Sequence, residues 1–185
     1  TRNVAVGSFA GGGTGAKTGS SNVSIGYIAG AALTSGGYNV AVGDNAFKAN
    51  TTASYNTSIG YGTLTNNTTG HDNTACGISA LAANTTAHYN TALGASALEQ
   101  GTTGEYNVAL GNLALGEGAG QSNTTGAENV FIGKLAGKHG TSMTTGSQNV
   151  YIGGLTSGSA NNVVAELVLG RAIVGGGTNT FRVGV

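Results

Sequence analysis

Side chains able to do chemistry are few in this sequence, and those present recur at fixed intervals. His71, His88 and Glu105 stand at equal spacing along the chain. Two imidazoles and a carboxylate brought within one strand spacing of each other could share an ion. The plainer reading is solvated polar groups at a chain corner. Next to them in sequence run Tyr38, Tyr55, Tyr89 and Tyr106, with Asp72 interrupting the series. Such a column either packs one unit against the next or offers aromatic faces to sugar rings. The four tyrosines are therefore the candidate ligand-binding residues, with glycan as the ligand. His71, His88 and Glu105 are a secondary candidate for metal; otherwise neither metal nor cofactor is expected.

Catalysis has little to stand on. The aspartates are Asp44 and Asp72, and neither pairs with another carboxylate at a telling spacing. No Gly-x-Ser-x-Gly elbow occurs, and the Gly-rich segments lack the Lys-Ser/Thr of a phosphate loop. The recurring Asp of calcium-binding nonapeptide repeats is also missing. We expect no enzyme and no catalytic residue.

The elements that must position these side chains are set by a repeat. The pentad Asn39-Val40-Ala41-Val42-Gly43 returns as Asn56-Thr57-Ser58-Ile59-Gly60, Asn73-Thr74-Ala75-Cys76-Gly77, Asn90-Thr91-Ala92-Leu93-Gly94 and Asn107-Val108-Ala109-Leu110-Gly111. Further copies start at Asn3, Asn22, Asn129 and Asn149, and a degenerate one is Glu166-Leu167-Val168-Leu169-Gly170. From Asn22 to Asn107 one and the same interval recurs without a break. A unit this short and Gly-rich cannot be a helical hairpin. It reads as one coil of an all-β fold, a β-solenoid of single-chain β-roll coils of about 17 residues, stacked along one axis. Ten coils at ~4.8 Å each predict a rod of about 50 Å.

Alternation along a strand predicts that the second and fourth residues of each pentad point inward as stacked rows. On that reading Cys76, fourth in its pentad where others carry Val, Ile or Leu, fills a core slot as a small hydrophobe. The third residue is Ala or Ser in seven of nine good copies, Phe131 and Tyr151 being the exceptions. Its small size suggests close approach of another surface. Three residues after each Gly comes a second apolar element, such as Ala46-Phe47, Thr63-Leu64, Ala80-Leu81, Ala97-Leu98 and Ala114-Leu115. It supplies the opposite wall of a thin coil. Turns such as Asn50-Thr51-Thr52 close the unit, and the Asn that opens each pentad is expected to form a ladder from coil to coil.

Three longer intervals hold Gly11-Gly12-Gly13, Gly116-Glu117-Gly118-Ala119-Gly120 and Gly137-Lys138-His139-Gly140. They read as loops leaving one edge of the stack. Residues 1–170 form the repetitive solenoid, and 171–185 a divergent C-terminal cap or a lead into a further domain. The chain opens Thr1-Arg2 without Met, already inside the first repeat, and reads as a fragment.

Composition bounds the partners. Seven Lys plus Arg against seven Asp plus Glu give zero formal net charge, without the clustered positive charge of a nucleic-acid footprint. No apolar run approaches the roughly 18 residues of a membrane span, so neither nucleic acid nor membrane insertion is expected. Charged residues make up only 8% of the chain. A sheet-rich rod with so few charges is prone to association, which predicts an obligate oligomer.

The motif Asn-Val/Thr-Ala-Val/Leu-Gly with its following Ala-Leu resembles the head repeats of trimeric autotransporter adhesins. With Thr-Thr-Gly turns, as in Thr68-Thr69-Gly70-His71-Asp72-Asn73-Thr74-Ala75, it is still more similar to repeats in bacteriophage tail fibres. Those often precede a self-cleaving, endosialidase-type chaperone domain. The likeness covers about residues 1 to 170, although the adhesin unit is usually shorter. It implies a parallel homotrimer of left-handed β-rolls without catalytic residues. The expected function is a structural, receptor-binding segment of a tail fibre in the virion, a trimeric rod contacting cell-surface glycan or a protein receptor. A bacterial trimeric surface adhesin head is the alternative. An ice-binding solenoid is a third, disfavoured because adjacent Thr-Thr pairs point opposite ways.

Overall fold

The computed structural model describes residues 2–12, 18–112, 125–137 and 145–184. Among the described residues eleven three-residue strands form one parallel sheet in chain order: β1 Val4–Val6, β2 Val23–Ile25, β3 Val40–Val42, β4 Thr57–Ile59, β5 Thr74–Cys76, β6 Thr91–Leu93, β7 Val108–Leu110, β8 Val130–Ile132, β9 Val150–Ile152, β10 Leu167–Leu169 and β11 Phe181–Val183. Strands β1 to β10 are each the middle of one pentad, and like positions pair, as in Ala75 with Ala92. The chain is a β-solenoid, with coils of about 17 residues in its regular part.

Asparagine sets which way the strands face. The Oδ1 of each pentad-opening Asn accepts the backbone N–H of the next, in an unbroken series from Asn3 to Glu166 at 2.8–3.1 Å. Its Nδ2 donates to a turn carbonyl of the following coil, for example Asn73 to Ala87 O at 2.8 Å. These side chains are buried from Asn22 to Asn149. An amide can both donate and accept, so one residue type can satisfy the backbone on both sides and repeat indefinitely.

The inward rows are therefore not the ones that alternation alone suggests. With the first residue inside, the third must also be inside and the second and fourth outside. Ala41, Ser58, Ala75, Ala92, Ala109, Phe131, Tyr151 and Val168 are buried, whereas Val6, Ile25, Ile59, Leu93 and Ile152 are exposed. Cys76 is exposed too, so it fills no core slot. The third residue is small because the opposite wall of its own coil lies against it: Ser58 Oγ is 2.6 Å from Thr63 Oγ1.

That opposite wall is the second apolar element, with Ala46, Phe47, Leu64, Ala80, Leu81, Ala97 and Leu98 buried. Volume is traded across the coil. Ala41 faces a wall carrying Phe47, whereas the coil of Phe131 has Gly137 at the equivalent place. A thin coil filled to native density has room for one large side chain, from either wall. The Gly closing the pentad marks a tight contact between coils. Gly60 has φ 129°, and a Cβ there would lie 2.6 Å from the carbonyl oxygen of Gly77.

At the C-terminal end Glu166 takes the ladder position. Its N–H still donates to Asn149, but its carboxylate can only accept. It does so from Tyr151 OH at 2.7 Å, Gly177 N at 2.8 Å and Thr180 Oγ1 at 3.3 Å. Burial, and then the Glu166 carboxylate, hold the Tyr151 phenol well above its ordinary pKa. The chain beyond residue 170 adds β11 to the sheet through a coil shorter than the regular ones, Leu167 pairing with Phe181. The segments Ala114-Leu115 and Gly116–Gly120 lie outside the described residues, as do Gly13 and the Lys138-His139-Gly140 part of the third loop.

Candidate functional site

The residues singled out for chemistry meet at one corner of the coil, just before each strand. Tyr38, Tyr55, Asp72, Tyr89 and Tyr106 all hold left-handed φ values of 56–60°. Their N–H groups bond to the preceding coil, as in Tyr55 N to Gly37 O at 3.1 Å and Tyr89 N to His71 O at 3.3 Å. The sharp bend turns each of these side chains outward while the hydrogen bond keeps it in step with its neighbours. Tyr38 and Tyr55 stack with centroids 5.1 Å apart and planes 4° apart; Tyr89 and Tyr106 do so at 4.8 Å and 14°. All four rings are exposed. The structure thus contains the tyrosine column, and Asp72 divides it into two pairs.

His71, His88 and Glu105 also line up. The imidazoles lie 3.8 Å apart and tilted by 36°, and His88 Nε2 is 3.9 Å from Glu105 Oε1. Their nitrogens do not converge. His71 Nδ1 is committed to Asp72 Oδ2 at 2.7 Å, and His88 Nδ1 accepts the His71 N–H at 3.0 Å. Among the described residues no group of three His, Cys, Asp or Glu side chains is arranged to hold a metal ion. What the alignment provides is a polar strip beside the tyrosines. Where Asp72 interrupts the column, a notch of about 270 Å³ opens, lined by Thr52, Ser54, Tyr55, Thr69, His71 and Asp72.

A second candidate surface is one that sequence reasoning misses. The outward rows of the sheet include Val4, Val6, Ile25, Ile59, Leu93, Ile152, Phe181 and Val183, all exposed. The sign that could have revealed it is the Asn at pentad position one, whose buried ladder dictates the facing of every residue after it. No family model, curated protein or solved structure matches this chain.

Proposed function

We propose that this chain is a structural, receptor-binding segment of a phage tail fibre or comparable virion appendage, built as a parallel homotrimer. The observation that carries the reading is the apolar outer face of the sheet, whose fourth pentad position is Val, Ile, Leu or Cys from Val6 to Leu169, while Thr57, Thr74 and Thr91 interrupt the row at the second position. Such a face is unfavourable in water, at roughly 25 cal/mol for each Å² of apolar surface left uncovered. Three copies turning it toward a common axis enclose the rows, and cyclic symmetry about that axis keeps the chains parallel and identical. The tyrosine corner then repeats three times around the rod. Weak contacts to cell-surface glycan at three identical places gain avidity without any new interaction. The resemblance of the repeats favours the tail fibre, and the pentad with its stacked Asn suits a bacterial surface adhesin head as well. The gene sequence downstream separates them, through a chaperone domain in one case and a membrane-anchor barrel in the other.

Solution mass tests the assembly. Light scattering at several concentrations is expected to give about three times the 17.9 kDa of one chain, persisting on dilution. A clean monomer overturns the rod. Cys76 supplies an independent check, because it lies exposed on the outer sheet face. Enclosed in the three-chain assembly, its thiol is expected to react with a maleimide only after denaturation, whereas rapid labelling of the native protein counts against the assembly.

A further inference from the structure

The notch at the break in the tyrosine column has two unlike walls. On one side stands Tyr55, 58% exposed, its ring already stacked on Tyr38. The next coil in the column carries Asp72 instead of an aromatic, so the second face of Tyr55 lacks a stacking partner from that coil. On the other side are His71 and Asp72, locked together at 2.7 Å, and the hydroxyls of Thr52, Ser54 and Thr69 complete the rim. Ser54 Oγ accepts the Gly37 N–H at 3.0 Å, which leaves its own O–H to donate. The bond to His71 uses one carboxylate oxygen of Asp72, so acceptor capacity remains.

We propose that this notch is a monosaccharide subsite for a neutral pyranose. The proposal deepens the reading of the chain as a surface-contacting rod and rests on it. A pyranose has a patch of C–H groups on one ring face and hydroxyls around its edge. The C–H groups are slightly positive and suit the negative face of Tyr55. At the ~4 Å of carbon–carbon contact, a ring seated on Tyr55 fills the place that the next tyrosine would have taken. Its edge hydroxyls then reach the Asp72 carboxylate and the Thr and Ser hydroxyls. Selectivity follows from charge: among the described residues no Lys or Arg lines the notch, and Asp72 disfavours an acidic sugar. The break in the column thus creates the site, because a tyrosine in place of Asp72 would cover that face of Tyr55.

Saturation-transfer NMR on the intact chain tests this, with methyl α-glucopyranoside, methyl α-mannopyranoside and methyl β-galactopyranoside as probes and N-acetylneuraminic acid as the acidic comparison. At least one neutral glycoside is expected to receive saturation, strongest on the C–H groups of one ring face. Tyr55→Ala should weaken binding more than tenfold and Asp72→Asn several-fold. Tyr61→Ala removes a tyrosine that is equally exposed but does not line the notch, and should change nothing. The site is overturned if no neutral glycoside binds, if N-acetylneuraminic acid binds as tightly, or if Tyr61→Ala costs as much as Tyr55→Ala. Light scattering on the same samples separates the two ideas. A three-chain mass without sugar binding defeats the notch and leaves the rod, whereas sugar binding by a monomer supports the notch and defeats the rod.

Discussion

Along β5, neighbouring residues meet opposite surroundings. Ala75 is fully buried against the far wall of its own coil, while Cys76 beside it lies open on the outer face. The same division runs through Ala92 and Leu93 and through Tyr151 and Ile152. Inward positions answer to the coil itself: most are small, and the large Phe131 and Tyr151 have Gly137 and Ser157 at the place that Phe47 fills in its coil. Outward positions answer to whatever lies outside, and they are apolar in most coils. An isolated coil has no use for an apolar outer face. The inner residues hold the solenoid together, and the outer ones are those that the proposed trimer would cover.

Substitutions on the two faces should separate these roles. The largest loss is expected from Asn73→Leu, which strands the Asn90 N–H in the interior and removes the amide donor to Asn56 Oδ1 and to the Ala87 carbonyl, each of which keeps another partner. One buried unsatisfied donor at 1–3 kcal/mol and two lost side-chain hydrogen bonds at about 1 kcal/mol each put the cost at about 4 kcal/mol in denaturant unfolding. A change under about 1 kcal/mol would mean that the ladder adds little to stability. Next comes Ala75→Leu, which forces three extra carbons against the opposite wall and should cost about 3 kcal/mol. In a solenoid each coil contacts only its neighbours, so hydrogen exchange in this variant should rise around β4 to β6 and spare β9 and β10. The smallest effect on the coil is expected from Leu93→Asp, within ~0.5 kcal/mol for an exposed position measured on the monomer. That variant should nevertheless abolish the three-chain mass. If it unfolds the coil instead, the outer face belongs to the core and the division fails.

Much of this is legible in the sequence because solenoid repeats are quasi-one-dimensional. The regular period places β2 to β7, and the apolar pairs from Ala46-Phe47 to Ala97-Leu98 are recognisable as the second wall. The tyrosine column follows from the same count, since residues one period apart must be neighbours. The facing of the strands is not legible in that way. Alternation in a three-residue strand determines parity but not sign, and a large apolar residue looks like core whether it faces its own coil or another chain. The buried Asn decides the sign, through hydrogen bonds that form only when coils stack. The strand at Phe181–Val183 escapes sequence reasoning for a related reason. Glu166 replaces Asn there, and the last coil, gathered around its acceptor-only carboxylate, departs from the period.

By itself, then, the sequence determined the period, the parallel stacking of like residues and the columns of Asn, Tyr and His, because repetition turns sequence position into spatial neighbourhood. Only the tertiary structure decided which face is interior, that His71 spends its Nδ1 on Asp72, and that the gap at Asp72 is an open notch beside Tyr55. The facing and the notch depend on side-chain directions set by hydrogen bonds between coils, and no single coil contains both partners of such a bond. The His71–Asp72 bond joins sequence neighbours but needs the left-handed bend at Asp72.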